Sequence, residues 1–256
     1  MQLVDIGANL THASFNDDLP GVLERARAAG VFVVVTGTTA EETRKALALD
    51  FHTTAGVHPH HARDCGPQTI PELRELARDP RVVAIGECGL DFNRNYSPHP
   101  DQEKWFVAQI ELAQELAKPL FLHSRDAHPR FSQILKEHKV AKGVAHCFTG
   151  EREELHACLD LGLHVGITGW ICDERRGKHL IELVREIPRD RLLLETDAPY
   201  LTPRDLRPQP KARRNEPAFL PHIARAVARA AGRSVEEIAA ETTRNARALF
   251  GLSGLQ

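Results

Sequence analysis

The sequence predicts an α/β protein of the (β/α)8 TIM-barrel kind, and three observations predict it. Eight short apolar runs, each followed by a segment of helical period, succeed one another along 256 residues. The residues that end these runs lie 22 to 36 positions apart, which leaves room for a crossover helix each time. No GxGxxG follows an early run, which weighs against the rival open, doubly wound sheet. Eight parallel strands in a chain of this length match the barrel's ordinary size.

Taken in order, the first strand is Leu3 to Ile6, followed by a polar loop from Gly7 to Asn16. A helix spans Asp17 to Ala29, with Leu19, Val22, Leu23 and Ala26 on one face and Gly30 as its stop. Val31 to Val35 is the second strand and Ala40 to Asp50 the second helix. Thr53 to Val57 is a weaker third strand leading into His58-Pro59-His60, and Ile70, Leu73, Leu76 and Ala77 mark the next helix. Val82 to Ile85 runs into Gly86 and Glu87, an apolar run of the kind buried on both faces of a parallel sheet. Asn93 to Pro100 is a polar loop, and Trp105, Phe106, Gln109, Ile110 and Ala113 carry the following helix. Pro119 to Leu122 ends at His123, and Phe131, Ile134 and Leu135 give the fifth helix. Gly143 to Ala145 ends at His146, and Leu155, Cys158 and Leu159 give the sixth. His164 to Ile167 ends at Thr168, and Leu180, Leu183, Val184 and Ile187 give the seventh. Leu192 to Leu194 carries Glu195 and ends at Asp197. Extra C-terminal helices are expected at Pro217 to Ala231 and Ser234 to Phe250, the latter opening with a Ser234/Glu237 capping box and closing on Gly251.

Bulk properties narrow the class. A hydrophobic content of 42% and a charged content of 27% suit a globular chain and argue against disorder. The net charge of -2 excludes a uniformly basic coat while allowing a local basic patch. No apolar run approaches the roughly 18 residues of a membrane span. Met1 to Asp5 has no basic region and no signal-peptide core. Cys65, Cys88, Cys147, Cys158 and Cys172 contain no CxxC spacing, which reads as small buried thiols in a reducing cytoplasm. With no linker or composition shift, residues 1–256 read as a single domain, expected to be a cytoplasmic monomer.

In a barrel the residues that end the strands converge on one mouth: Asp5, Thr36, His58, Glu87, His123, His146, Thr168 and Asp197. One histidine in such a place is usually a core or loop residue. Several at successive strand ends, with two carboxylates, read as a mixed oxygen/nitrogen divalent-metal site built from Glu87, His123, His146 and Asp197. A metal there would bring the pKa of a bound water toward ~7, with Asp197 placed to take the proton. His58 and His60 are expected to hydrogen-bond a phosphoryl or carbonyl oxygen, or to serve as general acid or base.

Six motifs, taken in order, carry a resemblance: Gly56-Val57-His58-Pro59-His60, Ile85-Gly86-Glu87-Cys88-Gly89-Leu90-Asp91, Leu122-His123-Ser124-Arg125, His146-Cys147-Phe148-Thr149-Gly150, Glu195-Thr196-Asp197-Ala198-Pro199-Tyr200 and Arg213-Arg214-Asn215-Glu216-Pro217. The set resembles the TatD family of metal-dependent deoxyribonucleases over essentially the whole chain. The resemblance implies a metal-dependent hydrolase barrel in the cytoplasm that cleaves phosphodiesters. It further implies 3′→5′ exonuclease action on single-stranded DNA, in some members RNA, and a role in DNA repair. Glu87, His123 and His146 match the family's metal ligands, and Asp197 its last-strand acid, a ligand or general base. Many relatives carry Asp-x-His-x-His on the first strand, where this chain has Asp5-Ile6-Gly7-Ala8-Asn9, as does the subgroup around TatD itself. Mg²⁺ is the expected ion, with Mn²⁺ or Zn²⁺ as alternatives. One ion is expected to bind firmly and a second weakly, with Asp5 as a weak ligand or a partner behind the ligands.

Between Pro203 and Arg214 lie Arg204, Arg207, Lys211, Arg213 and Arg214 against the single acid Asp205. A charge run is usually only solvated, but this one rims the mouth, so Arg213 and Arg214 are expected to hold substrate phosphate. Trp170, Phe148, Phe92 and Tyr200 follow strand ends closely enough to stack bases, or else to pack loops onto the rim. Two competing readings are a small-molecule amidohydrolase or phosphoesterase on the same barrel and a non-catalytic nucleic-acid binder. The Arg-rich loop favours a polyanion over the first, and the intact Glu87/His123/His146/Asp197 set speaks against the second.

Overall fold

In a computed structural model, which describes residues 1–210 and 212–252, the chain forms one eight-stranded parallel sheet in sequential order. The strands are β1 (Leu3–Ala8), β2 (Val31–Val35), β3 (His52–Ala55), β4 (Val82–Asp91), β5 (Leu120–Arg125), β6 (Gly143–Ala145), β7 (His164–Ile167) and β8 (Leu192–Leu194). The helices are α1 (Leu19–Ala28), α2 (Ala40–Ala48), α3 (Thr69–Leu76), α4 (His99–Glu115), α5 (His128–Glu137), α6 (Arg152–Asp160), α7 (Lys178–Leu183), α8 (Leu220–Ala231) and α9 (Val235–Phe250). The predicted barrel is therefore present.

Three apolar clusters hold it together. One joins β1, β2, β7 and β8 to α1, α7 and α8, and a second joins β3 to β6 to α3, α4 and α5. The third fills the barrel interior with Val4, Ile6, Val34, Phe121, Val144 and Leu193. Its floor is Ala246, Leu249, Phe250 and Leu252, so α9 plugs one end of the barrel. The plug also satisfies carbonyls where two strands begin, since Asn245 Nδ2 donates to Leu192 O at 3.0 Å and Thr243 Oγ1 to Gln2 O, just before β1, at 3.0 Å. α8 packs against β1 and β8 as the eighth barrel helix, which leaves α9 as the one true addition. Its predicted capping box forms in both directions, and Gly251 closes it at φ +67°.

The barrel seam lies between β8 and β1. It is closed just past the strand ends, where Asp197 N donates to Gly7 O at 2.9 Å and Asn9 N to Ala198 O at 2.6 Å.

Four strand boundaries differ from the sequence reading, the first being β1, which runs on past Ile6 to Ala8. β3 occupies His52–Ala55, so Val57 and His58 are free to turn into a 3-10 segment at Pro59–Asp64. β5 extends to Arg125, beyond His123. β4 runs on past Glu87 to Asp91, buried throughout. Its pairing with β5 shifts register between Gly86 and Cys88, which fits the extra residue of a bulge. Beyond the bulge, Cys88 and Leu90 join the helix-facing core while Glu87 and Asp91 line the mouth. Gly89, at φ +146°, permits the close approach to β5, because a Cβ there would sit 1.9 Å from His123 O.

Candidate metal centre at the barrel mouth

The strand ends open into a cavity of about 480 Å³ lined by His58, His60, Glu87, Asp91, His123, His146 and Asp197, among others. Three imidazoles converge on one carboxylate oxygen. Glu87 Oε1 lies 2.7 Å from His146 Nε2, 2.9 Å from His123 Nδ1 and 3.3 Å from His58 Nε2. Each ring arrives from a different element: His58 caps the 3-10 segment after β3, His123 is on β5 and His146 follows β6. Such convergence needs the barrel, since no two of these histidines are neighbours in sequence.

Asp91 forms a second layer. Its Oδ2 is 2.6 Å from His60 Nε2 and 3.6 Å from His123 Nε2, while its Oδ1 accepts from the backbone N–H groups of Asn93 and Arg94. Sequence reading missed this residue because it ended the strand at Glu87; the signal was the even spacing of two carboxylates on one strand.

Behind His146 stands Glu195, fully buried, with Oε2 3.3 Å from His146 Nδ1 and Oε1 accepting from Cys147 N at 2.5 Å. The glycine of the first strand explains how it fits. A Cβ on Gly7 would meet Glu195 Oε2 at 2.7 Å, and one on Gly166 would meet Oε1 at 2.3 Å. The space beside Gly7 is thus taken by a carboxylate from the residue that follows β8. Asn9, two residues beyond Gly7, gives its side-chain amide to Asp197 Oδ1 at 3.0 Å. Asp5 is fully buried and does not line the cavity. Its carboxylate accepts from Thr196 N, Thr196 Oγ1 and Gly7 N, and so ties the Glu195–Asp197 turn to β1.

The electrostatics follow from burial and crowding. Burial opposes charge on Glu87, yet His146, His58 and His123 hold its carboxyl well below the usual range. Burial likewise opposes protonation of His146, but Glu87 and Glu195 draw it well above an ordinary histidine. Burial takes His58 down to about 4, so it presents a neutral imidazole at pH 7. Asp197 is pushed up to about 7, chiefly by burial, with Glu87 and Glu195 adding repulsion against the pull of His146 and Asn9.

This donor set fits a divalent cation. His58, Glu87 and His123 can each aim a ligand atom within 4.8 Å of the others, and His123 Nε2 is buried without a hydrogen-bond partner. A carboxylate ringed by imidazoles offers the mixed oxygen and nitrogen donors that divalent cations take. His58, which also lines the mouth, lies with the expected ligands: its Nε2 points at Glu87 and its Nδ1 accepts from His60 N at 3.1 Å. The other grouping among the described residues, Cys172, Asp205 and His222, fits less well. Burial and the Asp205 charge raise the Cys172 thiol, which disfavours the thiolate a metal needs.

The expected substrate contacts divide. Trp170, in the 3-10 segment Gly169–Cys172, lines the mouth, as does the exposed Tyr200. Phe148 is buried and walls an adjoining cavity. Phe92 lies away from both cavities, stacked on His99 at 3.7 Å. Arg213 is exposed beside Tyr200 and Leu201, in a neighbouring depression. Arg214 is not brought to the mouth. Its guanidinium pairs with Asp18 at 2.7 and 2.8 Å and with Glu216 at 2.9 Å, and stacks over Phe15 at 4.7 Å. Glu216 next to it and Asp18 supply the counter-charge, so Arg214 ties the start of α1 to the loop before α8. Lys211 lies outside the described residues.

Comparison with known proteins agrees with this geometry. The chain matches the family described as TatD related DNase over residues 4–251. The 3′-5′ ssDNA/RNA exonuclease TatD of Erwinia amylovora is 56% identical over 259 residues, covering 98% of this chain and 100% of that one. The protein of the same description from Klebsiella pneumoniae is 54% identical over 258 residues, covering 98% of each. Among solved structures, a TatD family hydrolase from Entamoeba histolytica has a TM-score of 0.89 at 28% identity and 98% coverage of both chains. The TatD homologue YjjV from Escherichia coli K12 has a TM-score of 0.87 at 28% identity, again with 98% coverage of both.

Proposed function

The chain belongs to the TatD related DNase family, and from that premise we propose that it is a divalent-metal-dependent 3′→5′ exonuclease acting on single-stranded DNA and RNA. The observation that carries this reading is the convergence of His58, His123 and His146 on Glu87 inside an open mouth. Those four residues would hold the metal, with Asp197 beside them. When bound, the ion supplies Lewis-acid polarisation of a phosphoryl oxygen and a lowered pKa for attacking water.

The protein's own part is placement and proton handling. Glu195 fixes the His146 ring through Nδ1 and so aims Nε2 at the ligand cluster. Asp197, steadied by the Asn9 amide and half-buried beside the ligand cluster, is placed to take a proton from attacking water. His60 has its Nε2 tied to Asp91, which fixes the ring in the wall of the mouth, within reach of a bound substrate. All of these groups come from one chain, so a monomer suffices. Among the described residues no helix is long and apolar enough to cross a membrane.

The direct test is a single-stranded oligonucleotide labelled at its 5′ end, incubated with and without EDTA. The expected result is a ladder shortening from the 3′ end, abolished by EDTA and restored by Mg²⁺ or Mn²⁺. Undiminished cleavage in EDTA, or no cleavage with either ion, would overturn the proposal.

A further inference from the structure

A second cavity of about 470 Å³ adjoins the metal centre and shares His146, Ser124, Arg125, Thr149, Trp170 and Arg176 with its wall. We propose that it receives the terminal nucleotide of the substrate, its base against Trp170 and its flanking phosphates on Arg125 and Arg176. The inference rests on the nuclease reading and deepens it by naming the groups that hold the chain end.

The first observation is charge that is not spent. Arg125, on the last residue of β5, and Arg176, after the Trp170 turn, make no side-chain hydrogen bond or ion pair among the described residues. Their guanidinium carbons lie 5.8 and 5.9 Å from the centre of the Trp170 ring. Three of the four arginines of the loop after β8 contrast with this, Arg213 being the exception at the rim of a neighbouring depression. Arg204 is paired with Glu174 at 2.9 Å, Arg207 donates to the carbonyls of Arg204 and Leu206, and Arg214 is locked onto Asp18 and Glu216. A cation already paired has little left for a phosphate. Two unpaired ones flanking an indole make the combination single-stranded nucleic acid needs, an aromatic face with cations for the backbone.

The second observation is shape. The cavity lies between β5 and β6 on one side and α5 and α6 on the other. Its apolar floor is made of Leu122, Phe131, Ala145 and Cys158, all buried. A strand that enters a pocket with a floor cannot pass through it, so a chain end fits and an internal segment does not. Trp170 is itself held for the task, with its backbone N–H on Thr168 Oγ1 at 3.2 Å and its indole N–H on Arg176 O at 3.3 Å. The second of these bonds fixes the Arg176 backbone beside the ring.

Trp170 and Trp105 are the two tryptophans of the chain, and Trp105 lies on α4 outside both cavities. In a Trp105→Phe protein, fluorescence therefore reports Trp170 alone. The probe is a hydrolysis-resistant phosphorothioate hexathymidylate in Mg²⁺. Saturable quenching is expected, weakened when the 3′ end is closed into a hairpin. In the Arg125→Gln/Arg176→Gln variant the half-quenching concentration should rise about tenfold or more, and the salt slope should fall by about 0.7 for each charge removed. Calorimetric Mn²⁺ affinity should stay as it was. No quenching, quenching indifferent to the arginines, or equal quenching by the hairpin-ended probe would overturn the inference, as would loss of Mn²⁺ binding in the double variant. The nuclease reading fails differently, in a protein that quenches as expected and leaves labelled oligonucleotide uncut.

Discussion

At the scale of single residues, Glu195 is the sharpest case of a side chain whose role appears only in three dimensions. It touches no solvent, fills the space above Gly7 and Gly166, and holds His146 from behind. Removing its charge while keeping its shape should loosen the ring and weaken the ligand. Glu195→Gln is therefore expected to lower Mn²⁺ affinity by about 10- to 100-fold with the fold intact, as read by calorimetry and circular dichroism. Unchanged affinity would mean that His146 needs no such support. Arg214 is the opposite case, a residue that looks functional in sequence and is structural in place. Arg214→Gln should lower Tm by several degrees while leaving KM for an oligonucleotide near its original value, because the lost contacts are Asp18, Glu216 and the Phe15 ring. A large rise in KM with Tm unchanged would restore the phosphate-binding reading.

At the scale of elements, the turn that launches β4 shows how the scaffold keeps the ligand strand in register. Arg81 binds Asp79 through two nitrogens, at 3.0 and 2.7 Å, and reaches Leu47 O and Asp50 at the end of α2. Asp79 also accepts from Arg81 N at 2.9 Å. The side-chain bonds from Arg81, then its backbone N–H, hold the Asp79 carboxyl down to about 2 against an ordinary 3.8. A carboxylate lowered by folding adds stability that is complete above about 3.8 and is lost as pH falls through about 2. Asp79→Asn should thus destabilise the protein at pH 7 and flatten the pH dependence of its stability between about 4 and 2, measured by urea unfolding. An unaltered acid limb would show that the clasp is solvated.

For the whole molecule, the seam sets an expectation for how many ions the mouth holds. The β1/β8 side is closed by bonds among its own groups: Asp5 with Thr196, Asn9 with Asp197, Gly7 with Asp197. The imidazoles all come from the far arc, β3 to β6. One firmly held ion is expected there, and a second only with substrate, whose phosphate oxygens would make up the missing ligands. Titration with Mn²⁺ in the absence of nucleic acid should show one tight site, lost in Glu87→Ala. Two equally tight ions would mean that the seam opens to supply ligands.

The sequence by itself determined the barrel, the order of its strands and the identity of the mouth. Apolar runs ending in Glu87, His123, His146 and Asp197 are local patterns, and a parallel barrel delivers every strand end to the same place. What it could not determine were contacts between residues far apart along the chain. The bulge that turns Asp91 inward depends on the pairing of β4 with β5. The room for Glu195 depends on two glycines, one on β1 and one on β7. Whether an arginine is spent or free depends on which carboxylate folding brings to it, and so the tertiary structure set Arg214 in the scaffold and left Arg125 and Arg176 beside Trp170. Local pattern fixes which apolar runs become strands, whereas only packing fixes how far a strand runs and what faces a side chain across the barrel.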